Sequence, residues 1–66
     1  MNYTVVNGHN RRIMASSIRK SDAKQIARAL SKHTAGSYEV FEEDPKNLAK
    51  PGTPVAKYHD GIKVAF

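Results

Sequence analysis

Arg11, Arg12, Arg19, Lys20, Lys24, Arg28 and Lys32 place seven cations in the run RRIMASSIRKSDAKQIARALSKH, residues 11–33, against the single acid Asp22. Guanidinium and ammonium groups at this density suit the recognition of phosphate, where each contact displaces a condensed counterion. The charge is also lopsided. Residues 1–33 carry an excess of +6, while residues 34–66 hold four cations and five acids, so the formal net charge of +5 comes entirely from the first half. Such asymmetry favours an anionic partner over general solubility. No aromatic residue is interleaved in the run, which leaves no obvious platform for base stacking. Nor does its spacing fit a zinc finger, an RRM, a KH module or a helix-turn-helix. The expected contact is therefore with backbone phosphates and weakly sequence-specific. The competing account is an ordinary solvated helix face with a basic strand before it.

Other residues with chemical potential lead nowhere as definite. His9, His33 and His59 are separated by 24 and 26 residues, a spacing that matches no compact metal-ligand pattern. They read as surface histidines. The stretch EVFEEDP, residues 39–45, gathers four acids, but no second carboxylate cluster, phosphate-cradling glycine loop or nucleophile–base pair accompanies it. With 66 residues there is little material for a water-excluding pocket. We expect no catalytic residue, no metal and no cofactor. The chain has no cysteine, so neither a disulfide nor a thiolate zinc site is available to staple it.

The elements that must position the cations follow from periodicity. NYTVV is β-branched and aromatic and ends at Asn7-Gly8, a pair suited to a tight turn. RRIMASSI returns as a second strand. Its alternation is imperfect, with Ile13 and Ala15 on one face and Met14 and Ile18 on the other, and a bulge near Ser16-Ser17 would reconcile them. A helix is predicted over 21–34, with Ser21 as N-cap, Asp22 in the first turn and Gly36 as the stop. At 100° per residue Ala23, Ile26, Ala27 and Leu30 share an arc of about 100°, leaving Lys24, Arg28 and Lys32 on the opposite, solvent side. SYEVFEE reads as a strand with Tyr38 and Val40 on one face and Phe41 on the other. An irregular Pro/Gly loop is expected at about 44–54, from Pro45, Pro51, Gly52 and Pro54. VAKYHDGIKVAF is a hairpin turning at Asp60-Gly61, so that His59 faces Ile62, Lys57 faces Val64 and Val55 faces Phe66. Val55, Ile62, Val64 and Phe66 would then point to the helix, with Tyr58 and Lys63 outward.

The predicted fold class is α+β: a small antiparallel β-sheet with one helix packed on a face, order β-β-α-β-β-β, forming a single domain over residues 1–66. A chain of this size buries only about 60% of its extended surface, so its stability is marginal and a homodimer is credible. No stretch has the roughly 18 apolar residues a membrane span needs, and MNYTVVNGHN lacks the pattern of a signal peptide. A complete, cytoplasmic small protein is expected, non-enzymatic, with nucleic acid as partner through the seven cations. The alternative is a protein-binding inhibitor or adaptor, of the size common among phage accessory proteins. It would use a sheet edge, or Tyr58, Phe41 and the Pro-rich loop, as its contact surface; an acidic protein docked on the basic run is the partner this alternative allows.

Overall fold

A computed structural model describes residues 2–43, 46 and 52–65. The β-branched run at the start forms β1 (Asn2–Asn7), and the chain returns as β2 (Ile13–Ser17). The helix α1 (Lys20–Thr34) follows, then β3 (Ser37–Glu43), β4 (Thr53–His59) and β5 (Ile62–Ala65). The five strands make one sheet in the order β2-β1-β3-β4-β5, every neighbouring pair antiparallel. The helix lies across one face. This is the α+β arrangement the sequence predicts, with all five strands in a single sheet.

The core is built from small residues on the helix and large ones on the sheet. Ala23 and Ala27 are fully buried and meet Val5, Tyr38, Val40, Ala56 and Tyr58. Without side chains beyond Cβ, the helix backbone approaches the sheet closely enough for two tyrosines to fill the layer between. Ile26 and Leu30 flank this contact and are half-buried. Ser31 is the remaining fully buried helical residue. Its hydroxyl donates to the Arg28 carbonyl at 2.9 Å and accepts the Gly61 amide at 2.9 Å. Arg28 Nε in turn donates to the Gly61 carbonyl at 3.1 Å. Both backbone polar groups of Gly61 are thus held by the helix, and the β4–β5 turn is fastened to it. Replacing Ser31 with alanine strands a buried N–H and is expected to cost about 1–3 kcal/mol, read as a lowered midpoint in thermal or urea unfolding.

The Asp60-Gly61 turn is as predicted, with φ of +52° and +83°, the mirror-image conformation that matches strand twist. Its pairings Tyr58–Lys63 and His59–Ile62 also follow. The faces do not. Tyr58 is only 7% exposed and belongs to the core, while Ile62 and Val64 are 66% and 53% exposed. A bulge opposite Lys57–Tyr58 sets Lys57 against Ala65 in place of Val64, which breaks the two-residue alternation on which the prediction rested. Val55 does pack on the core, as the extra residue of a bulge between β3 and β4; its expected partner Phe66 lies outside the described residues.

Other local expectations shift similarly. The helix begins at Lys20 with Arg19 at the N-cap position, so Ser21 is not the cap; the Ser17 hydroxyl accepts the Arg19 amide at 3.1 Å instead. The left-handed residue at its end is Ala35, not Gly36. Asn7-Gly8 does not form a two-residue turn. The β1–β2 connection runs over residues 8–12, organised by Asn7 Oδ1 accepting the amides of His9 and Asn10, and its positive φ (+63°) falls on Arg11. The β2 bulge is at Met14, not near Ser16-Ser17, and it turns Ile13 away from Ala15 to the helix-free face. Finally, Pro54 lies inside β4 and not in a loop. It is tolerated because it sits beside a bulge, on a part of β4 beyond the described pairing with β5.

Candidate nucleic-acid interface

The seven predicted cations do not form one surface. Arg11, carried by its left-handed backbone, leans over the helix-free face of the sheet. There its guanidinium meets Glu39 at 3.3 Å and stacks 5.7 Å above the Phe41 ring centroid. Its charge already has a carboxylate partner. Arg12 is exposed in the same connection, and Arg19 is exposed at the bend before the helix.

Lys20, Lys24, Arg28 and Lys32 do come together, but not where the periodicity put them. The buried stripe of the helix is Ala23, Ala27 and Ser31, so the burial centre is rotated toward the lysines. Lys24, Arg28 and Lys32 border the β4–β5 hairpin rather than facing away from the sheet. Lys24 is half-buried, and the Lys32 stem lies within 3.1 Å of where a Cβ on Gly61 would stand. Successive members are separated by four residues, about 6 Å along the axis, close to the spacing of successive phosphates along one nucleic-acid strand.

The structure adds one cation that the sequence reading assigned to the outer face. Lys63 stands opposite Tyr58 on the helix side of β5 and lines a groove of about 530 Å³ together with Lys24, Arg28, Tyr58 and Ile62. Burial, followed by the charges of Lys63 and then Lys20, pulls the Lys24 ammonium below the ordinary lysine range. A second hollow of about 440 Å³ continues past Arg28 and Lys32 to His33 and Asp60. Arg11 pairs with Glu39, and His59 Nε2 lies 3.3 Å from Asp60; no described carboxylate is paired with Lys20, Lys24, Lys63 or Lys32. Assigning the large aromatic Tyr58 to the core would have brought Lys63, its cross-strand partner, to the helix side as well.

The other candidate groups stay apart. His9 and His33 are exposed, and His59 hydrogen-bonds Ser37 Oγ through Nδ1 at 2.9 Å. No group of three or more His, Cys, Asp or Glu among the described residues could hold a metal ion. Glu39 is engaged with Arg11 and Glu42 with the Tyr3 hydroxyl at 3.1 Å; Asp44 lies outside the described residues. No helix among the described residues is long and apolar enough to cross a membrane. No protein-family model, curated protein or solved structure matches the chain.

Proposed function

We propose that the chain is a non-enzymatic nucleic-acid-binding module whose phosphate contacts come from the groove between α1 and β5. The observation that carries this reading is the convergence of Lys20, Lys24 and Lys63, from two elements, with no described carboxylate paired to them. Such crowding works against folding. Like charges four residues apart on a helix cost a few tenths of a kcal/mol per pair, and Lys20 stands at the positive end of the helix dipole. A phosphate lodged among them reverses each of these penalties. Arg28 differs in role: one of its nitrogens is fixed on Gly61, so it holds the groove's wall and offers only its remaining donors.

The contact is with backbone phosphates, and a cytoplasmic location goes with it. Among the described residues the aromatic side chain lining this groove is Tyr58, which is in the core, and Phe41 is on the other face beneath Arg11, so the reading calls on phosphate contacts and not on base stacking. Mobility shifts at low salt with duplex DNA, single-stranded DNA and RNA test the reading. At least one should be retarded at micromolar protein, and loss of the shift by about 200 mM salt is expected for this mode. No retardation of any of the three would end it.

A further inference from the structure

The sheet has two outer strands, and they are defended unequally. β5 is four residues long and carries Lys63, both devices that discourage a further strand. β2, Ile-Met-Ala-Ser-Ser, has no charge and no proline and, among the described residues, pairs only with β1. Every second N–H and C=O along it therefore has no strand partner among the described residues. Ile13, Met14 and Ile18 along this edge are 69%, 45% and 79% exposed. A groove of about 470 Å³ runs beside the strand on the helix-free face, over Thr4 and Ser16, with Ile13 and Ile18 on its rim. The bulge at Met14 bends the strand but leaves Ala15 to Ser17 in register with β1.

What such an edge accepts is set by the charges at its ends. Arg12 precedes the strand and Arg19 follows it, both exposed, whereas Arg11 is turned onto Glu39 and Phe41 of β3 and Lys20 belongs to the helix. A second copy paired antiparallel and centred on Ala15 would bring Arg12 of each chain beside Arg19 of the other, on top of a net charge of +5 per chain. Self-pairing is thereby disfavoured. A segment with carboxylates at both ends meets a cation at each. We infer that β2 accepts, as a sixth strand, an extended segment of another protein that is apolar at its centre and acidic at both ends. Backbone hydrogen bonds would supply the affinity, the groove over Thr4 and Ser16 would take alternate side chains, and the flanking cations would fix which segments dock. This edge is separate from the α1–β5 groove, so either surface can fail its test alone.

The test uses the full chain, labelled with nitrogen-15, and a nine-residue probe of alternating valine and threonine with two glutamates at each end. Two further probes have the glutamates replaced by lysines, or alternate peptide nitrogens methylated. The expected result is amide shifts and slowed hydrogen exchange confined to residues 13–18, with at least tenfold weaker binding of the lysine-ended and the methylated probes. Because Ile13 and Ile18 are exposed, the pair Ile13→Asp and Ile18→Asp should melt like wild type and lose the acidic probe. Shifts centred on the α1–β5 groove would overturn the inference, as would equal binding of both charge versions or no shift at all. So would sedimentation showing that the chain alone already dimerises through residues 13–17.

Discussion

A chain carrying Ala27→Asp is expected to be unfolded at 25 °C, with the far-ultraviolet helix signal lost and no cooperative thermal transition. Ala27 is fully buried against Val40, Tyr38, Tyr58 and their neighbours, and none of these carries a positive charge to offset a carboxylate. Burying an unpaired charge costs several kcal/mol even after the surroundings relax. At 0.05–0.15 kcal/mol per residue a 66-residue chain has only about 3–10 kcal/mol to lose. Ala29→Asp is the companion measurement. Ala29 lies two residues on, in the same helix, and is exposed, so the same aspartate there should cost no more than about 0.7 kcal/mol through helix propensity. Equal melting of the two variants would mean that the helix face against the sheet is wrongly placed.

The second large effect is on binding. Reversing Lys20, Lys24 and Lys63 together to glutamate should weaken the complex with duplex DNA by on the order of a hundredfold or more at low salt, since each change removes an attraction and adds a repulsion. Arg28 is left in place because it anchors Gly61, and its loss would confuse binding with stability. The triple variant should melt no lower than wild type, because a carboxylate at position 20 suits the positive end of the helix dipole and one at position 24 stands four residues before Arg28. Arg11→Gln is the contrast: its charge is already paired with Glu39 on the other face, and affinity should fall by no more than about twofold. Should Arg11→Gln weaken binding as much as the triple variant, phosphate would be meeting the helix-free face and the proposed groove would be misplaced.

How far the sequence reveals this molecule can be judged from particular residues. The helix, the Asp60-Gly61 turn and the strand around Tyr38 and Val40 were legible because each is set by near neighbours: a 3.6-residue period, a two-residue turn preference and a simple alternation. The rotation of the helix was not. Ile26 and Leu30 draw attention as the large apolar residues, yet the burial centre runs through Ala23, Ala27 and Ser31, because close approach to a tyrosine-lined sheet favours the small ones. That rotation moves Lys24 from the solvent side to the groove. Ser31 reads as a surface residue in a basic stretch, and only its contact with Gly61, thirty positions away, explains why it is buried. Lys63 reads as outward because Ile62, Val64 and Phe66 look like the apolar face of the last hairpin, whereas Tyr58 is the buried residue and carries its cross-strand partner Lys63 to the helix side. Arg11 was legible as a cation but not as a spent one. Its left-handed backbone and its reach to Glu39 and Phe41 depend on β1 pairing with both β2 and β3, a long-range fact that no local pattern carries.

The salt dependence of binding tests the central claim most directly. Logarithmic affinity for a short duplex should fall linearly with logarithmic salt concentration, each phosphate contact contributing about −0.9 to the slope, so four to five contacts from the α1–β5 groove give about −3.6 to −4.5. Neutralising Lys24 and Lys63 to glutamine should make that slope shallower by about 1.8, whereas Arg11→Gln should leave it where it is. A wild-type slope near zero, or one that Lys24→Gln with Lys63→Gln leaves unchanged, would contradict the assignment of phosphate contacts to this groove.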